Sequence, residues 1–186
     1  MEAAQAPILE HGGFRIYETA AIALYVDEAF GGPSLQPTDV RQRASMQRWI
    51  SAVSAYYYPY MAYHLGHERI IYPALGIAPD EKVVAAALPK IATCLEVMEA
   101  ELAENGDFLV GGRLTLADFF LLPSLTTLGR TPEGQQMLEP MPRIREWWAR
   151  MQDLASVQQV LAMVAPHIGQ PVEHARAWAT SHRPRY

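Results

Sequence analysis

Phe108-Leu109-Val110-Gly111-Gly112-Arg113-Leu114-Thr115-Leu116-Ala117-Asp118 is an apolar loop that turns on two glycines and runs into the hydrophobic stretch Phe119-Phe120-Leu121-Leu122. Thr115 and Asp118 stand three positions apart at the start of that stretch, which is the spacing of a capping box. The Thr115 hydroxyl can accept from the backbone N–H of residue 118 while the Asp118 carboxylate reaches back to the N–H of residue 115, so two orphan donors are satisfied at a buried helix start. Gly111 and Gly112 permit the tight approach, because glycine adopts positive φ without steric penalty. Taken alone the motif is structural, and Asp118→Ala is expected to cost about 1 kcal/mol, or somewhat more at a buried site.

About ninety residues upstream lies a second ordered stretch, Pro7-Ile8-Leu9-Glu10-His11-Gly12-Gly13-Phe14-Arg15-Ile16-Tyr17-Glu18-Thr19-Ala20-Ala21-Ile22. The two together resemble the cytosolic glutathione transferase family. Phe-Leu-x-Gly-x-x-x-Thr-x-Ala-Asp is similar to the capping-box segment of that family's C-terminal helical domain. The proline, hairpin and Glu-Thr-x-Ala-Ile segment looks like the end of its glutathione-binding domain. The resemblance covers roughly residues 6 to 160 and implies a mainly α fold: a helical bundle of the family's C-terminal type, preceded by a partial thioredoxin-like β-hairpin plus helix. The expected organisation is a partial glutathione-binding domain over residues 1–31, a linker over 32–38, an all-helical domain over 39–165 and a C-terminal tail over 166–186.

Bulk composition narrows the class independently. The chain has 186 residues, half of them hydrophobic, enough for one good core or two small ones. No run approaches the ~20 apolar residues of a membrane span, and residues 1–6 have no signal-like pattern, so a soluble cytoplasmic protein is expected. A net charge of −5 with interspersed signs argues against nucleic acid as a partner. Cys94 is the only cysteine, which excludes an intrachain disulfide and a CxxC pair.

Pro7–Leu9 and Phe14–Tyr17 read as strands around a His11-Gly12-Gly13 turn. The pattern predicts that the hairpin leans on a helix over residues 18–30, whose Ala21, Ile22, Tyr25, Val26 and Ala29 share one face. Asp39 followed by Gln42 marks the next helix start, and the pattern continues through Met46, Trp49, Ile50, Val53 and Tyr57, with a kink expected at Pro59. Residues 72–79 read as a loop, and residues 80–103 as a helix with Leu88, Ile91, Leu95, Met98 and Leu102 spaced 3, 4, 3, 4. After the capping-box helix, Pro142 introduces a helix carrying Ile144, Trp147, Trp148, Met151 and Leu154, and Ser156 is placed as the cap of a last one through Val164. The bundle then holds about five helices.

The resemblance assigns the chemistry. Thr19 becomes the contact for the γ-glutamyl carboxylate of glutathione and Glu18 a partner for its polar amino-acid end, at a helix start whose free N–H groups favour an anion. Pro7 matches the family's cis proline, which leaves the Ala6 backbone to bond the cysteinyl portion. Tyr56, Tyr60 and His64 are the candidates for the subsite that takes a small hydrophobic electrophile, with core or subunit packing as the alternative for each. No residue can be assigned to thiol activation, which the family performs with a tyrosine, serine or cysteine about fifty residues before the cis proline; the catalytic residue is therefore unknown. His64-x-x-His67 has helical spacing but no further matched ligand, so no metal is expected. The implied activity is conjugation of the glutathione thiol to an electrophile by a homodimer. The alternative is a noncatalytic member of the same fold that binds proteins or ligands.

Overall fold

The computed structural model describes residues 7–165. Ala6 and the tail beyond residue 165 lie outside the described residues. Strands β1 (Ile8–His11) and β2 (Phe14–Tyr17) form an antiparallel hairpin. Its two-residue turn needs positive φ twice, and Gly12 and Gly13 supply it at 56° and 83°. Ile8 pairs with Tyr17 and His11 with Phe14, so β1 runs one register step later than the sequence suggests and Pro7 stands just outside it.

Helix α1 (Thr19–Ala29) has no fully buried residue and lies between the hairpin and the bundle. Tyr25, on the face expected to meet the hairpin, does so: its ring lies 5.3 Å from that of Phe14, and its hydroxyl is 2.8 Å from His11 Nδ1. Ala20, Ala23 and Leu24, which the periodicity did not single out, pack instead against the main core. Val26 and Ala29, expected on the buried face, are exposed. A two-stranded sheet presents too little surface to cover the whole helix face, so the helix serves as a shim between hairpin and bundle.

The Gly/Pro segment after α1 is fastened at both ends. Asp27 accepts from the Leu35 N–H at 2.8 Å, from the Ser34 hydroxyl at 3.0 Å and from the Gln36 amide at 3.1 Å. Burial alone would raise the Asp27 pKa; these hydrogen bonds outweigh it and hold the carboxyl below the usual aspartate range. On the other side the Leu35 carbonyl accepts from Leu116 N–H at 3.2 Å.

The bundle begins at α2 (Val40–Ala52), where the Asp39 carboxylate accepts from the backbone of Arg41 and Gln42, as the spacing indicates. α2 passes without a break into a π-helix over Val53–Ile71. Pro59 falls inside it, so its missing N–H lies within a widened helix. A short turn, α3 (Tyr72–Ala74), leads to α4 (Glu81–Asn105), capped by Asp80. Ile91, Leu95, Met98 and Leu102 are buried, and α4 packs along the π-helix. Then come α5 (Leu116–Leu128), α6 (Pro132–Leu138), α7 (Pro142–Gln152) and α8 (Ala155–Val164). α6 was missed by the apolar pattern, although Thr131-Pro132 is a helix-start signal and the Thr131 hydroxyl accepts from Gly134 N–H at 3.1 Å. Ser156 does not cap α8: the helix begins one residue before it, with Leu154 as the cap residue.

Asp118 is fully buried at the centre of this arrangement. One oxygen accepts from the Thr115 N–H at 2.9 Å and the Thr115 hydroxyl at 3.0 Å; the other accepts from the Leu109 N–H at 3.1 Å and the Trp147 indole at 2.9 Å. Burial pushes the Asp118 pKa above the ordinary aspartate value, against the pull of these four donors. A donor-only shell matches an acceptor-only carboxylate, so each hydrogen bond offsets part of the desolvation cost.

A second polar junction ties three elements. Arg69 of the π-helix bonds Glu81 of α4 at 2.7 Å and Glu133 of α6 at 2.6 Å. The Arg69 guanidinium, foremost through these hydrogen bonds, holds both carboxyls below the usual glutamate range.

Three variants test these two junctions. Asp118→Ala should lose at least about 3 kcal/mol in urea denaturation, because several donors are left buried and unpaired. Asp118→Asn, equal in shape but with an amide group facing donors, should also lose at least about 1 kcal/mol; a neutral Asn variant would show that shape alone matters. For Arg69, the lowered glutamate pKa values mean stability present above pH 4.5 and lost as pH falls through the folded-state values. Melting curves between pH 3 and 6 should therefore be flatter for Arg69→Met than for the parent.

Candidate functional site

The hairpin register decides how the N-terminal candidates meet. With Ile8 opposite Tyr17, the next residues outward are Pro7 on one strand and Glu18 on the other, so Pro7, Glu18 and Thr19 gather at the open end of the hairpin. Glu18 is the sole non-glycine residue with positive φ among the described residues, at φ 74° and ψ 119°. Such a conformation costs of order 1–3 kcal/mol and persists only where the surroundings enforce it, which is the pattern of a functional position. It turns the chain abruptly from β2 into α1.

The ordinary role of such a junction residue is absent here. Glu18 makes no side-chain cap, and the first turn of α1 carries no acidic residue. The backbone N–H groups at this helix start thus keep their capacity for an external carboxylate. Glu18 and Thr19 are both exposed, as a ligand contact requires.

Tyr56 and Tyr60 stand elsewhere, in a cleft of about 500 Å³ between α2 with its π-helical continuation and α4. Trp49, Ala52, Tyr57 and Cys94 form its inner surface, with Arg48, Lys90, Thr93 and Val97 around them. Tyr57 is a core residue: its hydroxyl donates to the Cys94 carbonyl at 2.8 Å, and burial drives its pKa far above the ordinary tyrosine value. Cys94 is buried too, with its thiol pushed up to about 11, which leaves it protonated and unreactive at neutral pH. Tyr56 is about half exposed. His64 is not part of the cleft lining; its ring lies 5.7 Å from that of Tyr60 and 5.9 Å from that of Tyr63. Burial first, and then the charge of Lys90, lower the His64 pKa, so the imidazole is neutral at pH 7.

The cleft lining includes none of Pro7, Glu18 and Thr19, so the two groups of candidates occupy separate places. No group of three or more His, Cys, Asp or Glu gathers as a metal site among the described residues. Nor is any described helix long and apolar enough to cross a membrane. A second apolar cavity of about 420 Å³ lies between α5 and α8, lined by Phe119, Leu122 and Pro123 on one side and Val157, Val160 and Leu161 on the other.

This bundle, with a buried capping box and a strained strand-to-helix junction before it, matches known proteins. The family description "Glutathione S-transferase, C-terminal domain" fits residues 49–155, more than half of the sequence. The chain belongs to the glutathione S-transferase family. The probable glutathione S-transferase GSTF2 of Oryza sativa subsp. japonica is 31% identical over 163 residues, which are 87% of this chain and 74% of that protein. Among solved structures, glutathione S-transferase III in apo form has a TM-score of 0.76 at 31% identity, covering 85% of this chain and 72% of its own. Glutathione S-transferase-I bound with lactoylglutathione also has a TM-score of 0.76, at 30% identity, over 86% of this chain and 75% of that one.

Within this glutathione S-transferase family member, sequence reasoning found the residues at the hairpin mouth but not the strain that marks Glu18. It also missed the α4 wall of the cleft, Lys90, Thr93 and Val97, because these stand beside the apolar stripe that identified the helix. Glu18→Gly removes the penalty of a Cβ at positive φ, so it should stabilise the ligand-free protein by roughly 1 kcal/mol, a rise of about 2–4 °C in Tm by calorimetry. An unchanged or lower Tm would show that the junction is not strained.

Proposed function

We propose that this chain binds glutathione at the hairpin mouth and acts, as a homodimer in the cytoplasm, in conjugating the glutathione thiol to a hydrophobic electrophile. The strained Glu18 before an uncapped α1 is the observation that carries this reading. Thr19 and the first N–H groups of α1 take the γ-glutamyl carboxylate, with Glu18 toward the amino end. Pro7 holds the neighbouring backbone in place for the cysteinyl amide, the contact that the resemblance gives to Ala6. The Tyr56–Tyr60 cleft receives the apolar partner on aromatic surface.

Family membership supports the ligand, and the lactoylglutathione complex of a similar structure shows that a glutathione conjugate fits that relative. Thiol activation is assigned to no residue here. Its chemistry requires a hydrogen-bond donor or positive dipole within reach of the sulfur to favour the thiolate. Cys94, buried and protonated, is not that group.

Isothermal titration with glutathione tests the binding reading. Binding should be measurable, and Thr19→Ala should weaken it about tenfold while leaving Tm within about 2 °C, as removal of one charge-assisted hydrogen bond does. Equal affinity for Thr19→Ala and the parent would remove Thr19 from the site. Conjugation of a generic aromatic electrophile, followed separately, decides whether binding leads to turnover.

A further inference from the structure

We propose that the C-terminal segment of this chain, residues 166–186, folds back and seats Trp178 in the apolar groove between α5 and α8. This docking surface is separate from the hairpin mouth, and the inference does not depend on the glutathione reading.

Helix α8 is short of cover. Val157 is its one buried residue, whereas Val160, Leu161, Met163 and Val164 are exposed toward its C-terminal end. Exposed apolar side chains gathered in this way, unlike ones scattered singly, mark a surface that another segment covers. Beside Val157, Val160 and Leu161, the groove of about 420 Å³ is walled by Phe119, Leu122 and Pro123 of α5. No charged side chain lines it among the described residues, while Thr126, Gln152 and Ser156 contribute side-chain oxygens. Apolar walls with a few acceptors suit an indole, which buries a large ring and needs a partner for its N–H.

The sequence supplies one such group next to the groove. Residues 166–186 follow directly on α8 and its cap residue Ala165, and they contain a single tryptophan. In Ala175-Arg176-Ala177-Trp178-Ala179 it stands between small residues, and Val172, Ala175 and Trp178 recur every third position. Reach is ample. The groove residues Val157 to Leu161 lie about 5–11 Å back along the helix axis from Val164, by the rise of an α-helix. The chain from Ala165 to Trp178 spans about 20 Å even at helical rise and about 40 Å when extended. Tethering also favours this occupant over a second copy. A segment attached at the end of α8 has an effective concentration on the order of millimolar, and the entropy of closing the loop grows only slowly with its length.

Acrylamide quenching of the full chain tests the proposal, with Trp178→Phe as the reference that isolates the Trp178 emission. Close packing excludes the quencher, so Trp178 should be quenched at least about threefold less than free N-acetyltryptophanamide. Val160 is 57% exposed, so Val160→Glu places a charge in the groove at a position the fold tolerates. That variant should keep its far-ultraviolet circular dichroism and bring Trp178 quenching up to the free value. Free quenching in the parent, or undiminished protection in Val160→Glu, would overturn the docking. A second measurement identifies whose groove is filled. Thr126→Cys with Ala179→Cys keeps the tryptophan and sets one thiol on the groove and one beside Trp178; Cys94 is buried and takes no part. Mild oxidation should give a disulfide within one chain, seen as a monomer of altered mobility on a non-reducing gel. A bridge between two chains would assign the groove to a second copy, and no bridge would leave it without this occupant; either overturns the proposal.

Discussion

A single buried carboxylate organises the bundle. Asp118 gathers donors from the loop before α5, from the cap of α5 itself and from Trp147 on α7, so one anion ties the loop and the helix start to a helix 29 residues further on. Each donor is a group that would otherwise be buried unpaired, and the carboxylate would not be tolerated in the core without them. The dependence runs in both directions. It fixes the depth at which α5 enters the core, and through Leu109 it fixes the course of the loop that delivers the helix.

Around that point the remaining packing follows from ordinary patterning. The α4 stripe of Ile91, Leu95, Met98 and Leu102 meets the π-helix along its length, and Trp147 and Met151 close the far side. The unusual element is the π-helical run itself. Its wider turns change which residues share a face, so Tyr57, Met61 and Leu65 fall in the core at steady intervals of four while Tyr56 and Tyr60 border a cleft. Gly66 is needed within it, since a Cβ there would stand 2.5 Å from the Thr127 methyl of α5.

What the sequence disclosed, and what it withheld, divides along physical lines. Local hydrogen-bonding signals were readable: Asp39 caps its helix, the Gly12-Gly13 pair makes the hairpin turn, and the Thr115/Asp118 spacing makes the box. Periodicity located α4 and α7 because the residues of each stripe are buried together, Ile91, Leu95, Met98 and Leu102 on the one and Ile144, Trp147 and Met151 on the other. It misjudged α1, whose Ala20, Ala23 and Leu24 face the bundle while Tyr25 meets the hairpin, since a single-face pattern cannot represent a helix with two neighbours. The widening at Pro59 was hidden because a proline announces a missing donor without saying how the backbone will accommodate it. At the candidate site, Glu18 and Thr19 were visible as a strand-to-helix junction, whereas the left-handed backbone of Glu18 was not, because nothing in a glutamate side chain encodes it. The pairing of Lys90 with Tyr60 is a contact between elements thirty residues apart, and no local rule reports it.

The fastening of Leu35 has a mechanical meaning. Its N–H is held by Asp27 of α1 and its carbonyl by the first residue of α5, so one residue is riveted to both lobes at once. A segment of that composition would ordinarily act as a free joint. Here it is a strut: a tilt of α1 would strain two hydrogen bonds, one of them to the end of the helix that bears the buried aspartate.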